Sequence, residues 1–267
     1  MHDISVIILV GGKNTRLKNI NNKNLSIPKS LQKINSKYLI FYVIENFLDS
    51  NFRNFILSIG NYKSVFNNFF NNVKKINGRK VNIFFNQSKY LKSIKDNNKN
   101  INILLFYTGI KTNKAERVLK IINKMHLKEF GVSYGDGVGN VNINQLYKNH
   151  ISNNFIASSA AIKAKSQYGH FIYKDNIGRK KIKDEMVIDF VEKPLLDLLV
   201  NIGYFFFKKE ALWYFKKYYK SDLEMGIIKK IANQKKLMVY KHKKFWKSVD
   251  TQKDVGELSK LLKNDKK

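Results

Sequence analysis

Two glycines, Gly11 and Gly12, follow at once on the apolar run Ile4 to Val10. A glycine-rich turn after a first strand lets backbone N–H groups approach a phosphate chain closely, and Arg16 in the same turn adds a rigid cationic fork. The run Gly11-Gly12-Lys13-Asn14-Thr15-Arg16-Leu17 is therefore a candidate phosphate cradle. It is neither the Gly-Lys-Ser/Thr loop of the P-loop proteins nor the G-x-G-x-x-G dinucleotide turn, and taken alone it reads equally well as a tight turn. Asp136, between Gly135 and Gly137, follows a second apolar run, at the carboxyl end of a candidate strand where open α/β sheets gather ligands. Its other reading is a turn aspartate. Asp250 lies beyond Phe245-Trp246, and its other reading is the N-cap of a last helix. Lys29 and Lys193 each adjoin a proline, Pro28 and Pro194, whose fixed φ stiffens the backbone beside a cationic head. The five histidines have no metal-like spacing, and the absence of cysteine excludes disulfides and thiolate metal sites.

The elements that must position these residues are legible as apolar runs alternating with longer amphipathic segments. That rhythm predicts an α/β fold, with strands joined by crossover helices in a mainly parallel sheet. Strands are predicted over Ile4 to Val10, Asn54 to Ile59, Val81 to Phe85, Ile103 to Tyr107, Phe130 to Tyr134, Phe155 to Ile162, Met186 to Val191, Tyr204 to Phe207 and Leu237 to Tyr240. Helical spacing covers Tyr38 to Leu48, Lys63 to Phe70, Ala115 to Met125, Asn144 to Asn149, Lys209 to Tyr218, Leu223 to Asn233 and Thr251 to Leu262. The polar, basic stretch from Lys163 to Lys183 reads as a hairpin or loop excursion, spanning about residues 163–190, from a single domain over 1–265.

A chain of 267 residues, 43% hydrophobic and 26% charged, can bury a core and is not a disordered tail. Its longest apolar runs fall short of the roughly 20 residues that a membrane-crossing helix needs, and its start does not read as a secretory signal. The formal charge of +30 favours anionic ligands. The lysines are spread among Asn, Ile, Phe and Tyr along the whole length, as a bias toward A- and T-rich codons would spread them, and no aromatic-basic motif points to specific nucleic-acid binding.

Further motifs complete the pattern: Ile27-Pro28-Lys29-Ser30-Leu31; Tyr107-Thr108-Gly109 with Thr112 and Arg117; Tyr134-Gly135-Asp136-Gly137-Val138; Val191-Glu192-Lys193-Pro194; Asn201-Ile202-Gly203-Tyr204-Phe205; and Phe245-Trp246-Lys247-Ser248-Val249-Asp250-Thr251. In this order and at these separations the chain resembles the sugar-1-phosphate nucleotidyltransferases over nearly its whole length, and most of all the glucose-1-phosphate cytidylyltransferases. The resemblance implies a Rossmann-like nucleotidyltransferase fold, a mixed, mainly parallel sheet with helices on both faces. It implies that CTP and glucose 1-phosphate are joined into CDP-glucose and pyrophosphate with Mg²⁺, in the cytoplasm, for deoxysugar and surface polysaccharide synthesis. It casts Asp136 and Asp250 as the carboxylates on the metal, and Arg16 and Lys29 as the cations on the triphosphate and the leaving pyrophosphate. Lys193 falls to the sugar phosphate, and Glu192, Asn201 and Gly203 to the sugar. Gly11, Gly12, Lys13, Thr15, Thr108, Gly109 and Arg117 fall to the nucleotide. Self-association is left open.

Departures from the family pattern leave other readings standing: the same chemistry with another nucleotide or sugar 1-phosphate, or a relative that binds these ligands without turning them over. Asn14 replaces a glycine of the phosphate loop, and Lys114-Ala115-Glu116-Arg117 replaces Thr-Gly-Gly-Arg. If that second segment is a loop against the base or ribose, Ala115 is expected to crowd the nucleotide and Glu116 to repel the triphosphate. Ile202 stands for a glycine, and Gly226 for a carboxylate after Glu224.

Overall fold

The computed structural model describes residues 2–12, 27–95, 99–173 and 187–264. Its first half runs β1 (His2–Leu9), β2 (Lys33–Ile34), β3 (Lys37–Tyr38), α1 (Leu39–Leu48), β4 (Phe52–Ile59), α2 (Lys63–Asn71), β5 (Lys75–Ile76), β6 (Arg79–Phe84), α3 (Gln87–Lys95), β7 (Ile101–Tyr107) and α4 (Lys114–Met125). The second half runs β8 (Phe130–Tyr134), β9 (Gly137–Gly139), α5 (Ile143–Ser152), β10 (Ala157–Lys165), β11 (His170–Tyr173), β12 (Val187–Val191), β13 (Leu195–Phe207) and α6 (Ala211–Tyr218). A π-helical turn (Leu223–Ile228) then leads into α7 (Lys229–Asn233), β14 (Leu237–His242), β15 (Trp246–Ser248) and α8 (Gln252–Asn264).

Nine strands form one sheet in the order β14-β10-β13-β8-β1-β4-β7-β6-β5. Pairing is parallel from β8 through β1, β4 and β7 to β6, and antiparallel where β13 enters between β8 and β10. Side chains alternate across a strand, so β1 sends Val6 and Ile8 to one core and Ile7 to the other. The first core holds Val43 and Phe47 of α1, Phe66 and Phe70 of α2 and Leu146 of α5. The second holds Tyr90 of α3, Val118 and Ile121 of α4 and Phe215 of α6. Helices thus cover both faces, as continuous apolar strands buried on both sides require.

The chain leaves β1 toward β4 on one side, while β8 pairs with β1 on the other. This reversal opens a crevice at the carboxyl ends of β1, β4 and β8, the usual ligand position in such sheets.

Besides several strands of two or three residues, the following elements differ from expectation. Helix α3 lies where the sequence reading assigns no element; it fully buries only Tyr90 and Ser93, with Leu91 and Ile94 packed against the same core. Strand β13 starts nine residues earlier than expected, at Leu195, and its first seven residues, half-buried or exposed, lack the apolar-polar alternation of a half-buried strand. The helix expected over Leu223 to Asn233 opens with a π-helical turn, in which Gly226 packs so tightly that a Cβ would lie 2.6 Å from that of Ser221. The helix expected over Ala115 to Met125 is present as α4, so Lys114-Ala115-Glu116-Arg117 forms its first turn and not the loop that the family pattern suggested as an alternative.

Candidate active site

A cavity of about 640 Å³ opens at this crevice, and its walls include Gly11, Gly12, Lys29, Arg117, Asp136 and Asp250. Two short strands bring its carboxylates together. Asp136 precedes β9 and Asp250 follows β15, and the antiparallel register pairs Gly137 with Ser248. Val249 N–H then donates to the Asp136 carbonyl (3.0 Å), which carries the ladder to the two aspartates. Gly135 makes this close approach to β1 feasible, since a Cβ there would sit 2.7 Å from Val10 Cγ1.

Lys29 lies between the carboxylates. Its Nζ donates to Asp136 Oδ2 at 3.0 Å and to Asp250 Oδ1 at 2.7 Å. Burial alone would lower the ammonium's pKa, but the two carboxylates outweigh it and hold the value above that of a free lysine. The backbone below is fixed by Pro28 and a single 3-10 turn that buries Ser30 and Leu31. Asp250 is anchored at other atoms too: its Oδ2 accepts from Ser248 Oγ (3.2 Å), and its N–H donates to Asp254 Oδ2 (3.0 Å).

The cap of α8 therefore does not fall to Asp250. Thr251 N–H and Oγ1 donate to the Asp254 carboxylate, and Asp254 N–H returns a bond to Thr251 Oγ1, a reciprocal cap that leaves the Asp250 carboxylate to the cavity. Lys247 Nζ also meets Asp254, at 2.8 Å. Burial acts against ionisation there, but these donors prevail and bring the Asp254 pKa down to about 2. Sequence reasoning missed Asp254, although a Thr three residues before an Asp is a capping signal.

Arg117 comes from the first turn of α4 and is 7% exposed. Its guanidinium wedges between the ends of β1 and β4. A Cβ on Gly11 would lie 1.5 Å from Nη1, and one on Gly60 would lie 2.3 Å from Nη2, so both positions need glycine. Nε donates to the Thr112 carbonyl (3.1 Å), whereas Nη1 is buried without a partner. Among the described residues no carboxylate pairs with it, and burial lowers its pKa. Nη1 itself is packed against Gly11 and Gly60, but Arg117 is one of the residues lining the cavity, and a buried guanidinium without a carboxylate makes it a candidate anion site there.

The expected obstruction by Ala115 and Glu116 is absent. Ala115 is fully buried in the second core, and Glu116 turns back to accept from Asn113 N–H (2.9 Å) while Asn113 Oδ1 accepts from Glu116 N–H, a capping box. Ile202 is likewise a core residue. Thr108 is 2% exposed, and its hydroxyl donates to the Ile59 carbonyl, so its side chain serves the fold. Gly109, with φ at +100°, turns the chain directly afterwards.

The remaining candidates among the described residues, Asn201, Gly203, Glu192 and Lys193, are not part of these walls. Asn201 Oδ1 accepts from Gly203 N–H (2.8 Å), and Gly203, at φ +80°, packs so closely on the cavity-lining Tyr134 that a Cβ would be 2.6 Å from its ring. Lys193 and Glu192 are more than half exposed and pair with each other at 3.2 Å. Lys13, Asn14, Thr15 and Arg16 are outside the described residues. A further polar cluster on the wall escaped sequence reading. Tyr134 donates to Glu224, and Lys114 Nζ reaches Asp222 at 3.0 Å and Glu224 at 2.5 Å.

The model of the nucleotidyl transferase family matches residues 5–267. The chain belongs to this family. Relatives of this nucleotidyl transferase include the "Probable glucose-1-phosphate cytidylyltransferase" of Bacillus subtilis, 26% identical over 97% of this chain and 96% of the relative. The glucose-1-phosphate cytidylyltransferase of Salmonella typhimurium is 23% identical over 98% of this chain and 97% of its own. Among solved structures, an apo UDP-glucose pyrophosphorylase superposes with a TM-score of 0.67 at 16% identity, covering 99% of each chain, which shows the shared fold.

Proposed function

We propose that the protein joins CTP and glucose 1-phosphate into CDP-glucose and pyrophosphate. The observation that carries the transfer chemistry is the convergence, on one cavity, of two carboxylates, the Lys29 ammonium and the buried cation Arg117 beside Gly11 and Gly12. Both reactants are anions, so the chemistry needs positioning and charge neutralisation more than a covalent nucleophile. An oxygen of the sugar phosphate attacks the α-phosphorus in line. The bond from that phosphorus to the oxygen bridging to the β-phosphate breaks, and pyrophosphate leaves with the electron pair. Gly11 and Gly12 let the backbone approach the phosphates, and Arg117 supplies the buried cation. Lys29 and Arg16 take the charge that grows on the leaving group.

A divalent ion fits the donor set. Asp136 and Asp250 already share one cation, the Lys29 ammonium, and carboxylates are the hard ligands that Mg²⁺ accepts one or two at a time beside waters and phosphate oxygens. No group of three or more acidic, His or Cys ligands occurs among the described residues, in keeping with a hydrated rather than a fully caged ion. When bound, the ion would neutralise the α-phosphate.

The choice of cytosine rests on the ordered motifs and on the names of the two relatives at 23–26% identity. Its test is a panel of CTP, UTP, GTP and dTTP against several sugar 1-phosphates, read by pyrophosphate release. The expected result is highest turnover with CTP and glucose 1-phosphate; equal or better turnover with another nucleotide would remove the base assignment. Lys193 is assigned to the sugar phosphate, with Glu192, Asn201 and Gly203 toward the sugar. Lys193→Ala is then expected to raise KM for glucose 1-phosphate roughly tenfold, the factor for about 1.4 kcal/mol, and to leave KM for CTP unchanged. A rise confined to CTP would contradict the assignment. No described helix is long and apolar enough to cross a membrane, and we place the reaction in the cytoplasm, where nucleotide pools are.

A further inference from the structure

Lys29 is bound to the same two carboxylates that are assigned to the metal, at 3.0 Å from Asp136 Oδ2 and 2.7 Å from Asp250 Oδ1. An ammonium and a hydrated divalent cation are alternative answers to one electrostatic demand, and direct contact with both carboxylates leaves space for one of them. The mobile part of Lys29 is its stem: Pro28 and the 3-10 turn hold the backbone, whereas four methylenes carry the charge. The carboxylates keep independent anchors, Ser248 Oγ and Asp254 for Asp250 and the β9–β15 ladder for Asp136, so their places do not depend on the lysine alone. The same cavity is lined by Gly11, Gly12 and the cationic Arg117, a setting for a polyphosphate, which is a far stronger anion for Lys29 to follow.

We propose that Lys29 is an internal counter-ion that fills the metal position between Asp136 and Asp250 until a polyphosphate draws it away, so that metal and nucleotide binding are coupled through this one side chain. The inference rests on reading these two aspartates as the metal's ligands. By linkage, the nucleotide tightens the metal by the same factor as the metal tightens the nucleotide, and such couplings are usually about 5- to 150-fold. The nucleotide-free protein accordingly binds the ion weakly, because the ion must first evict the lysine.

The test uses Mn²⁺ and the nucleotide-free protein, with bound metal read from the loss of the free-ion electron paramagnetic resonance signal. Lys29→Met keeps the stem and removes the charge, and it is expected to bind Mn²⁺ at least about fivefold more tightly than the wild type. In the wild type, acetylation of the Lys29 amine, followed by peptide mass spectrometry, is expected to speed up several-fold when Mn²⁺ saturates the site. This second readout needs no variant to fold. Equal or weaker Mn²⁺ binding by Lys29→Met, or acetylation unmoved by Mn²⁺, would overturn the proposal. Failure of every form to bind Mn²⁺ would overturn the metal reading and the proposal with it. Neither readout requires turnover, so an inactive protein that gives both expected results would count against the substrate reading alone.

Discussion

Asp136→Asn and Asp250→Asn are each expected to lower kcat by roughly 100- to 1,000-fold, the usual cost of removing one preorganised electrostatic group from a charge-stabilising site. The two carboxylates are only about one-third exposed, and each contacts the same ammonium. Asparagine keeps the shape and one acceptor oxygen but supplies no negative charge to a divalent ion. The fold should survive, because Val249 N–H bonds the Asp136 backbone carbonyl and Asp254 accepts from the Asp250 backbone N–H, and neither contact uses the altered side chains. Raising Mg²⁺ should partly restore the rate if the loss is in metal affinity. Stopped-time assays of pyrophosphate release together with thermal melts check this. A variant within a few-fold of the wild-type rate would show that its carboxylate is only structural.

Arg117→Met is expected to move activity and stability in opposite directions. The guanidinium is buried, its Nη1 lacks a partner and no described carboxylate faces it, so the folded protein bears a desolvation cost that an apolar side chain of similar length does not. Replacing an uncompensated buried charge should raise stability by about 1 kcal/mol or more, seen as a higher melting temperature. CTP affinity should fall by roughly 30-fold or more, as for truncation of one partner in a buried charge pair. Isothermal titration in parallel with melting separates the two. A less stable variant with normal CTP affinity would make Arg117 a structural wedge for Gly11 and Gly60.

How much of this was legible beforehand depended on how strongly each segment is coupled to the core. Strand β1 and helix α1 were readable because each buries an unbroken or regularly spaced apolar face, and the sheet's rhythm placed Asp136 at a strand end. The pairing of Asp136 with Asp250 came from the ordered motifs, since nothing in local spacing joins positions so distant in the chain. The device that joins them, the β9–β15 ladder, is three residues long on each side and carries no periodic signal. Helix α3 and the first half of β13 escaped because they bury little, and burial is what writes period into a sequence. For Ala115 and Glu116 two expectations compete, the helix from Ala115 and the family's loop, and a local signal decides for the helix. Asn113 and Glu116 spell a capping box, although the arginine after them matches a loop motif. The resemblance casts Lys29 as a phosphate cation, yet its contact with both aspartates is a long-range fact that only the fold displays.

The central claim is that this cavity transfers a nucleotidyl group from the α-phosphorus of CTP to a sugar phosphate. The most direct measurement follows CTP labelled at its α-phosphorus, incubated with glucose 1-phosphate, Mg²⁺ and the protein. The account predicts that the label moves into CDP-glucose, with one unlabelled pyrophosphate released per transfer and neither product formed when any component is omitted. Label that stays in CTP, or appears in CMP without a sugar nucleotide, would contradict it.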